Sequence, residues 1–274
     1  MKQICNAIKF PRSTYYKHIN AKPSKRDIEI LSFQEEIKKI YFDSKQRYGA
    51  PKIQKVLESK GIIASLKRVQ RHMAKLGLRS IVVKKYKHHN SKTKVEEREN
   101  ILGGNFEATT INQKWCTDIT YIHVLKEGWT YLASVIDLYP KKIVGYAYGT
   151  KMTTELAIEA VQNATLNVKD VRGIIVHSDL GSQYTSHVFQ SFLSGKGMIQ
   201  SFSRKGNPYD NACIESFHSI LKKEEIYGNT YQDFNQAKRA IFEYIESWYN
   251  RKRIHSAIGY LTPEQRENIE IMAV

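Results

Sequence analysis

The order of strands and helices predicted after residue 112 restricts the fold of this chain more than any other feature of its sequence. Segments rich in aromatic and β-branched residues, separated by short polar turns, predict five strands over residues 114–124, 130–138, 142–148, 173–177 and 198–202. Apolar residues at helical spacing predict helices over residues 153–166, 186–193, a segment containing Glu215, and about 231–249. Three strands followed by alternating helices and strands predict an α/β domain with helices layered on a sheet.

Residues 27–80 predict a separate all-helical module. Apolar spacing predicts a helix over 27–41, and Pro51 suits the first turn of a second helix that ends near Gly61. Ser65 suits the N-cap of a third helix over 66–76. Three short helices with tight turns are typical of a helix-turn-helix unit, although they also occur in other contexts. The third helix carries four basic residues that suit a DNA groove: Lys67, Arg68, Arg71 and Lys75.

Basic charge is concentrated in the first third of the chain. Residues 1–100 contain 25 Lys and Arg against 9 Asp and Glu, whereas residues 101–274 contain 18 of each. The whole formal net charge of +16 therefore belongs to the N-terminal part. A basic module joined to a neutral one predicts a polyanion-binding arm, in which Lys84 and Lys85 of the linker suit a DNA backbone. On charge alone, a ribosome-associated or simply well-solvated basic surface is the alternative.

The cysteines and the hydropathy of the chain exclude several classes of protein. Cys5, Cys116 and Cys213 are scattered, with no Cys-x-x-Cys pair, so neither a disulfide framework nor a zinc knuckle is expected. No apolar run approaches the roughly 18 residues that a membrane helix needs, and the N-terminus lacks the apolar stretch of a signal peptide. We therefore expect a soluble, cytoplasmic protein with no membrane partner.

Three acidic residues lie where the predicted fold could use them. Asp118 lies in the middle of a strand, Asp179 directly follows an apolar strand, and Glu215 lies on a helix. A charge within a strand is costly unless it is compensated, and α/β folds usually bind ligands at the carboxyl ends of strands. Each residue alone is typical of a solvated surface. Together, converging carboxylates suit Mg²⁺ or Mn²⁺, which support displacement reactions at phosphates.

Longer motifs surround these three residues. They are W-x-x-D-I-T-Y at 115–121, H-S-D-x-G-S-Q-Y at 177–184, S-x-x-G-x-x-Y-D-N-A-x-x-E-S at 203–216 and W-Y-N-x-x-R-x-H-S-A-I-G-Y-x-T-P at 248–263. In this order they resemble the motifs of DDE transposases and retroviral-type integrases, most closely the second-reading-frame (orf B) transposases of the insertion-sequence three family. The 35 residues between Asp179 and Glu215 match the spacing of that group.

The resemblance implies a ribonuclease H-like catalytic core, with a five-stranded mixed sheet and flanking helices, preceded by a small all-α helix-turn-helix domain. It implies two divalent ions, Mg²⁺ or Mn²⁺, with Asp118 bridging both, Asp179 completing one site and Glu215 the other. The implied partner is double-stranded DNA, both the ends of the element and a target. A homo-oligomer on DNA and an upstream-frame protein or fusion are further expectations.

The resemblance also implies the reaction. Water would attack a phosphodiester to free a 3′-hydroxyl, which would then attack a second phosphodiester without a covalent protein–DNA intermediate. Two alternatives are open on sequence grounds: a nuclease of the same fold that does not join DNA, and a DNA-binding regulator with an inactive catalytic domain. Intact acidic residues at all three positions argue against the regulator.

Basic residues beyond Glu215 suggest further DNA contacts. Lys222 lies two helical turns after Glu215, on the same face of a helix, which predicts a contact with a DNA phosphate. Arg253 belongs to a basic patch at 251–255 and is predicted to lie along the DNA path. The intervening charged residues are expected on the surface: Lys223, Glu224 and Glu225.

Other polar residues of the motifs are predicted to have structural roles. Asp137 ends a strand and is the main rival for a metal-ligand role, which the resemblance does not give it. Asp210 would not share a helix face with Glu215, so we predict that it caps that helix together with Asn211. His177 is predicted to make a structural hydrogen bond, with the orientation of an attacking group as the alternative.

These observations predict five segments. They are an N-terminal extension at 1–26, a helix-turn-helix-like module at 27–80, a basic linker at 81–108, the catalytic core at 109–230, and a C-terminal helix and basic tail at 231–274.

Overall fold

Residues 1–20, 22–82, 99–204 and 208–273 are described by the computed structural model. By its contacts the chain divides into two units, Met1–Ser80 and Ile81–Val274. Lys84 and Lys85, the predicted backbone contacts of the linker, lie outside the described residues. In the part of the chain that is described, no helix is long and apolar enough to cross a membrane.

The described residues of the N-terminal unit form five helices. They are α1 (Lys2–Ala7), α2 (Arg12–Ile19), α3 (Lys25–Asp43), α4 (Ala50–Ser59) and α5 (Leu66–Lys75). The last three pack together through fully buried apolar side chains such as Ile37, Ile53 and Val69, because each helix presents one apolar face. The three helices expected from the sequence are therefore present, and α1 and α2 lie in the segment predicted as an extension.

Helix α5 presents its basic residues outward. The Ser65 hydroxyl accepts a hydrogen bond from the Arg68 backbone N–H at 3.3 Å, which fixes the start of the helix as predicted. Val69 and Met73 are buried. The basic residues are all exposed: Lys67, Arg68, Arg71 and Lys75. One face of α5 is thus anchored in the core while the opposite face remains available to an anion.

A five-stranded mixed sheet organises the second unit. Its strands are β1 (Lys114–Val124), β2 (Gly128–Asp137), β3 (Ile143–Gly149), β4 (Ile175–Ser178) and β5 (Ile199–Phe202). The strand order is β3-β2-β1-β4-β5. β1 pairs with β2 in the antiparallel sense and with β4 in the parallel sense. The mixed sheet with flanking helices confirms the predicted architecture.

Helices α6 (Thr154–Thr165) and α8 (His187–Gly195) contribute to one buried cluster with the sheet. The α6 backbone comes unusually close to β3 at Gly145, where a Cβ atom would lie 2.4 Å from the Ala160 carbonyl oxygen. Because Gly145 has no side chain, α6 can pack closely against β3 and cover the apolar face of the sheet.

Four further α-helices, and the 3-10 helices Pro208–Asn211 and Ser256–Ile258, lie in the described residues of the second unit. The α-helices are α7 (Ser182–Thr185), α9 (Ala212–Leu221), α10 (Phe234–Phe242) and α11 (Pro263–Ala273). α9 continues as a π-helical segment, Lys222–Ile226, and α10 continues as another, Glu243–Tyr249. The helix predicted at 231–249 therefore changes its hydrogen-bond pattern halfway. α11 was not expected from the sequence.

Residues 99–102 lie along β5, although the sequence places them in the linker. The Phe202 N–H donates to the Glu99 carbonyl oxygen at 3.1 Å, and the Ser201 hydroxyl accepts from the backbone N–H of Ile101 and of Leu102. Leu102 is buried. This β5 strap is therefore part of the catalytic unit's packing.

Candidate active site

Asp118 and Asp179 lie on neighbouring parallel strands. Cys116 of β1 is in register with His177 of β4, and each acidic residue follows two positions later. β4 ends at Ser178, so Asp179 begins the loop at the carboxyl end of that strand. Parallel strands in register bring such positions to the same edge of a sheet, which is where α/β folds bind ligands.

Backbone amides orient both carboxylates. Asp118 Oδ1 accepts a hydrogen bond from the Ile119 N–H at 2.8 Å, and Asp179 Oδ1 accepts one from the Gly181 N–H at 2.9 Å. A Cβ atom at Gly181 would lie 2.9 Å from Asp179 Oδ1. A residue without a side chain therefore lets this loop close over the carboxylate.

Negative charge accumulates around Asp179. Burial, together with the charges of Asp118 and Glu215, raises the pKa of Asp179 to about 6, against the hydrogen bond from Gly181, which lowers it. Glu215 reaches this position from the first turn of α9. Among the described residues, no group of three or more His, Cys, Asp or Glu side chains is already arranged to hold a metal ion. The structure thus brings Asp118 and Glu215 into electrostatic range of Asp179, and their joint role as metal ligands stays a prediction.

His218 joins this site, although the sequence analysis did not select it. Its Nδ1 lies 3.4 Å from Asp118 Oδ2, and its Nε2 lies 3.3 Å from the Ser134 hydroxyl. Ser134 is the partner of Asp118 in β2. His218 follows Glu215 by three residues and so lies on the same side of α9, which is the signal that could have identified it.

Lys222 begins the π-helical segment after α9 and is close enough to Asp118 for the two charges to interact. Burial lowers the pKa of its ammonium, while the negative charge of Asp118 acts in the opposite direction. The side chain is half-buried and lines a cavity of about 620 Å³. This position is compatible with the predicted phosphate contact, which remains a prediction.

His177 has a structural environment. It is fully buried, its Nδ1 lies 2.9 Å from the Ser201 hydroxyl, and its Nε2 lies 2.8 Å from the Asp210 carbonyl oxygen. Burial lowers the pKa of its imidazole. These contacts support the structural interpretation over the orientation of an attacking group.

The predicted side-chain cap of α9 is wrong. Asn211 is the N-cap residue, but its side chain makes no capping hydrogen bond. Asp210 is buried, and its carboxylate instead accepts hydrogen bonds from the backbone and guanidinium of Arg204 and from the Asn100 amide. Asp210 therefore fastens the β5 strap and the segment after β5 to the entrance of α9.

Asp137, the rival metal ligand, organises a turn. Its carboxylate accepts hydrogen bonds from the Asn112 N–H at 2.7 Å and the Tyr139 N–H at 3.0 Å. Asp137 lies on β2 opposite Trp115, and Trp115 lies three positions before Asp118 along β1. Burial raises the pKa of Asp137 to about 6 despite both hydrogen bonds. These contacts account for a buried carboxylate without a metal.

The structure contradicts the predicted DNA contact of Arg253. Its side chain is only 9% exposed, and its guanidinium Nε lies 3.0 Å from Glu224 Oε1. Glu224, expected on the surface, is 3% exposed at its side chain and also accepts hydrogen bonds from the Tyr244 hydroxyl and the Trp248 indole. The pair joins the π-helical segments to the C-terminal region, and burial prevents Arg253 from reaching DNA.

Comparison with known proteins agrees with this architecture. Integrase core domain families match residues 108–208 and 196–263, and an HTH-like domain family matches residues 31–86. The transposase for insertion sequence element IS904 of Lactococcus lactis subsp. lactis (strain IL1403) is 42% identical over 250 residues, which cover 91% of this chain and 98% of the relative. Transposase InsF for insertion sequence IS3A of Escherichia coli (strain K12) is 37% identical over 275 residues, covering 98% and 94%.

Solved structures of viral integrases are also similar. In the simian T-cell lymphotropic virus intasome, the matching chain has a TM-score of 0.49 and 17% identity, covering 78% of this chain and 70% of that one. The HTLV-2 integrase catalytic core domain has a TM-score of 0.45 and 18% identity, covering 59% and 99%. Because relatives at 42% and 37% identity align over nearly their whole length, the chain belongs to the IS3 family of insertion-sequence transposases, DNA transposases of the DDE type with a ribonuclease H-like integrase core.

Proposed function

We propose that Asp118, Asp179 and Glu215 are the catalytic carboxylates of this transposase and that they hold two divalent ions, Mg²⁺ or Mn²⁺. The observation that carries this proposal is the register of β1 and β4, which brings Asp118 and Asp179 to one edge of the sheet. The charges of Asp118 and Glu215, which together with burial raise the pKa of Asp179, support it. Crowded, partly buried carboxylates repel one another, and a bound cation relieves that repulsion.

The donor chemistry fits such ions. Carboxylate oxygens are the hard ligands that Mg²⁺ and Mn²⁺ prefer, and no softer thiolate or exposed imidazole competes in the triad. The neighbouring Cys116 is buried, which raises the pKa of its thiol and keeps it neutral. When bound, paired divalent ions supply charge stabilisation at the phosphate and activation of the attacking oxygen.

The residues around the triad would position the DNA. The Ile119 and Gly181 amides hold the carboxylates of Asp118 and Asp179, so that their orientation precedes substrate binding. Lys222 places a cation within electrostatic range of Asp118, where it would bind a backbone phosphate. In the first reaction water displaces one DNA strand end and leaves a 3′-hydroxyl. In the second reaction, that hydroxyl attacks another phosphodiester and displaces the 3′-oxygen of that strand. One P–O bond forms as one breaks, so no external energy source is needed.

The HTH-like domain would bind the ends of the element through α5. Its four exposed basic residues present positive charge on one helix face, which suits the phosphates and the major groove of duplex DNA. Joining two DNA ends requires two such modules, so we propose a homo-oligomer on DNA. An upstream-frame protein or fusion would add a further DNA-binding region. Both proposals concern assembly and are independent of the triad.

The test of the triad is strand transfer by the Asp118→Asn variant. Labelled duplexes carrying the ends of the element, incubated with Mg²⁺, should be cleaved and joined by the wild-type protein. The variant should lose both steps and retain DNA binding. Asp170 is an exposed acidic residue outside the site, so Asp170→Asn should retain cleavage, joining and DNA binding. A fully active Asp118→Asn protein would refute the proposal.

The same assay separates the two alternatives. A nuclease of this fold would yield cleaved DNA that is never transferred. A regulator with an inactive catalytic domain would bind the ends without cleaving them. Neither alternative is favoured by the sequence relatives, which are named as transposases.

A further inference from the structure

An aromatic cavity of about 620 Å³ lies between the β1–β2 hairpin and residues 222–231. Tyr121, His123, Trp129 and Tyr131 form part of its lining, and Lys222 forms another part. Tyr121 is 47% exposed and Trp129 is 59% exposed. Large aromatic side chains usually bury most of their surface, so an exposed group of them next to a catalytic centre indicates a binding surface.

The rings are held in place by the β1–β2 hairpin. Tyr121 is in register with Tyr131, and His123 with Trp129. Tyr121 and Tyr131 meet edge to face with centroids 5.4 Å apart, and His123 and Trp129 do so at 5.2 Å. Edge-to-face contact leaves the faces of one ring in each pair uncovered by the other. The cavity therefore offers preorganised ring faces.

The end of this hairpin is fixed as well. The Leu125 N–H donates to the Tyr231 carbonyl oxygen at 3.0 Å, and the Lys126 N–H donates to the Gln232 carbonyl oxygen at 3.2 Å. Leu125 and Tyr231 also line the cavity. Its two walls are thus joined by backbone hydrogen bonds, which favours a cavity that exists before any ligand binds.

The cavity is close to the acidic site, because Tyr121 follows Asp118 by three residues on β1 and Lys222 directly follows α9, the helix that carries Glu215. Lys222 lines it and is close enough to Asp118 for the two charges to interact. The pKa of Tyr121 is raised by burial, by Tyr131, and by the charges of Asp118 and Asp179. A group bound between the rings would therefore lie beside the phosphate on which the carboxylates act.

We propose that this cavity binds one unpaired base of the DNA, adjacent to the reacting phosphate. The proposal rests on the proposed function for the position of that phosphate. A base inside a duplex has both faces covered by its neighbours, so an exposed aromatic ring can stack between it and them only after the base has left the stack. The Lys222 ammonium is placed to pair with the phosphate that precedes or follows such a base. A cavity of this volume falls within the range of about 300–1,000 Å³ that small organic ligands occupy.

Direct binding tests the proposal without any catalysis. Two probes are compared in buffer with a metal chelator: a duplex with a short single-stranded thymidine flank, and the same duplex with that flank paired. Trp129→Ala and Tyr121→Ala should each weaken binding of the flanked probe by about 10-fold and of the paired probe by less than about twofold. Trp129→Phe, which keeps a ring, should bind both probes like the wild-type protein.

Phe242→Ala provides the matched control, because Phe242 is an exposed aromatic residue on α10 outside the cavity lining. Intrinsic fluorescence gives a second measurement: of the three Trp residues, Trp115 and Trp248 are buried and Trp129 is exposed. Single-stranded thymidine should quench the emission of wild-type protein, and Trp129→Phe should abolish that quenching.

Two results would overturn the proposal. One is equal loss of affinity for both probes in Trp129→Ala. The other is a change of oligomeric state in sedimentation with unchanged preference between the probes, which would identify the cavity as a protein contact. Because metal is absent from the assay, a failure of the triad would leave these measurements unaffected. Conversely, a failure of the cavity proposal would leave strand transfer by the wild-type protein intact.

Discussion

His218 Nδ1 lies 3.4 Å from Asp118 Oδ2, so the helix that carries Glu215 also contacts the acidic residue of β1. A side chain that orients a metal ligand without binding the metal usually changes metal affinity about 10- to 100-fold when it is removed. We therefore expect His218→Leu to weaken Mn²⁺ binding by about 10-fold or more, measured as free Mn²⁺ by electron paramagnetic resonance. His187→Leu, at an exposed histidine, should leave it unchanged. Wild-type affinity in a folded His218→Leu protein would refute the role.

Asp179 gives the metal response a defined pH dependence. Its pKa is raised from 3.8 to about 6, so the metal-free folded protein keeps a proton that the unfolded chain has already lost. The stability of the metal-free fold therefore falls as the pH rises from about 3.8 to about 6. A bound divalent ion offsets the free-energy cost of the Asp179 charge, and it does so only when Asp179 is ionised. Mg²⁺ should raise the unfolding temperature more at about pH 7.5 than at about pH 5. Equal increases at both pH values would contradict this, and Asp118→Asn should remove the increase.

Gly181→Ala tests the close approach of the loop to Asp179. The added Cβ would lie 2.9 Å from Asp179 Oδ1 and 3.1 Å from Gln183 Oε1, so the carboxylate must move. A displacement of about 1 Å in a catalytic group can cost about 100-fold in rate, and we expect a loss of that order in strand transfer. Gly195→Ala, where nothing lies within 4 Å of the added atom, should retain full activity. Unfolding temperatures of both variants should stay close to that of the wild type, and an active Gly181→Ala protein would show that the carboxylate tolerates the shift.

The buried pair of Arg253 and Glu224 predicts a stability effect without a DNA effect. Removing one partner of a buried ion pair typically costs about 3–5 kcal/mol, because the other charge is left uncompensated. Arg253→Met should lower the free energy of unfolding by about that amount in urea titrations, and the salt dependence of DNA binding should not change. Arg251→Met is the control, since Arg251 forms an exposed pair with Glu264 whose loss should cost less than about 1 kcal/mol. A weaker salt dependence in Arg253→Met would restore Arg253 as a DNA contact.

Helix α5 predicts the salt dependence of DNA binding. Each phosphate contact contributes about 0.9 to the slope of log affinity against log salt concentration. The double variant Lys67→Ala with Arg71→Ala should therefore reduce the slope by about 1.8. Lys38→Ala with Lys55→Ala removes the same charge from the outer surfaces of α3 and α4, where both lysines pair with glutamates. An equal reduction by both double variants would show that α5 is not the specific contact.

Local sequence patterns predicted the sheet well because each strand carries its own signal. Alternating and continuous apolar runs define β1 and β4, so Asp118 could be placed within one strand and Asp179 at the end of another in advance. Each residue of the triad also lies within a continuous sequence motif, which can be recognised without knowledge of any long-range contact.

Long-range partners explain what the sequence could not predict. Asp210 resembles a helix cap by its position, but its carboxylate is taken by Asn100, which is 110 residues earlier in the chain. Arg253 looks like part of a basic patch, and only folding places it against Glu224 in the interior. No local pattern reports such a partner, so side-chain roles were mispredicted where the decisive contact came from a distant segment.

The β5 strap determines where an isolated catalytic fragment can begin. A fragment cut at residue 109, where sequence motifs place the start of the core, would lack Leu102 and the amides of Ile101 and Leu102 that bind Ser201. It would also leave one acceptor of Asp210 without its Asn100 donor, at the very entrance of the helix that carries Glu215. Truncation at that point would loosen α9, although the cut lies far from this helix in the sequence. A short fragment could therefore be inactive because the strap is missing, even though it keeps all three acidic residues.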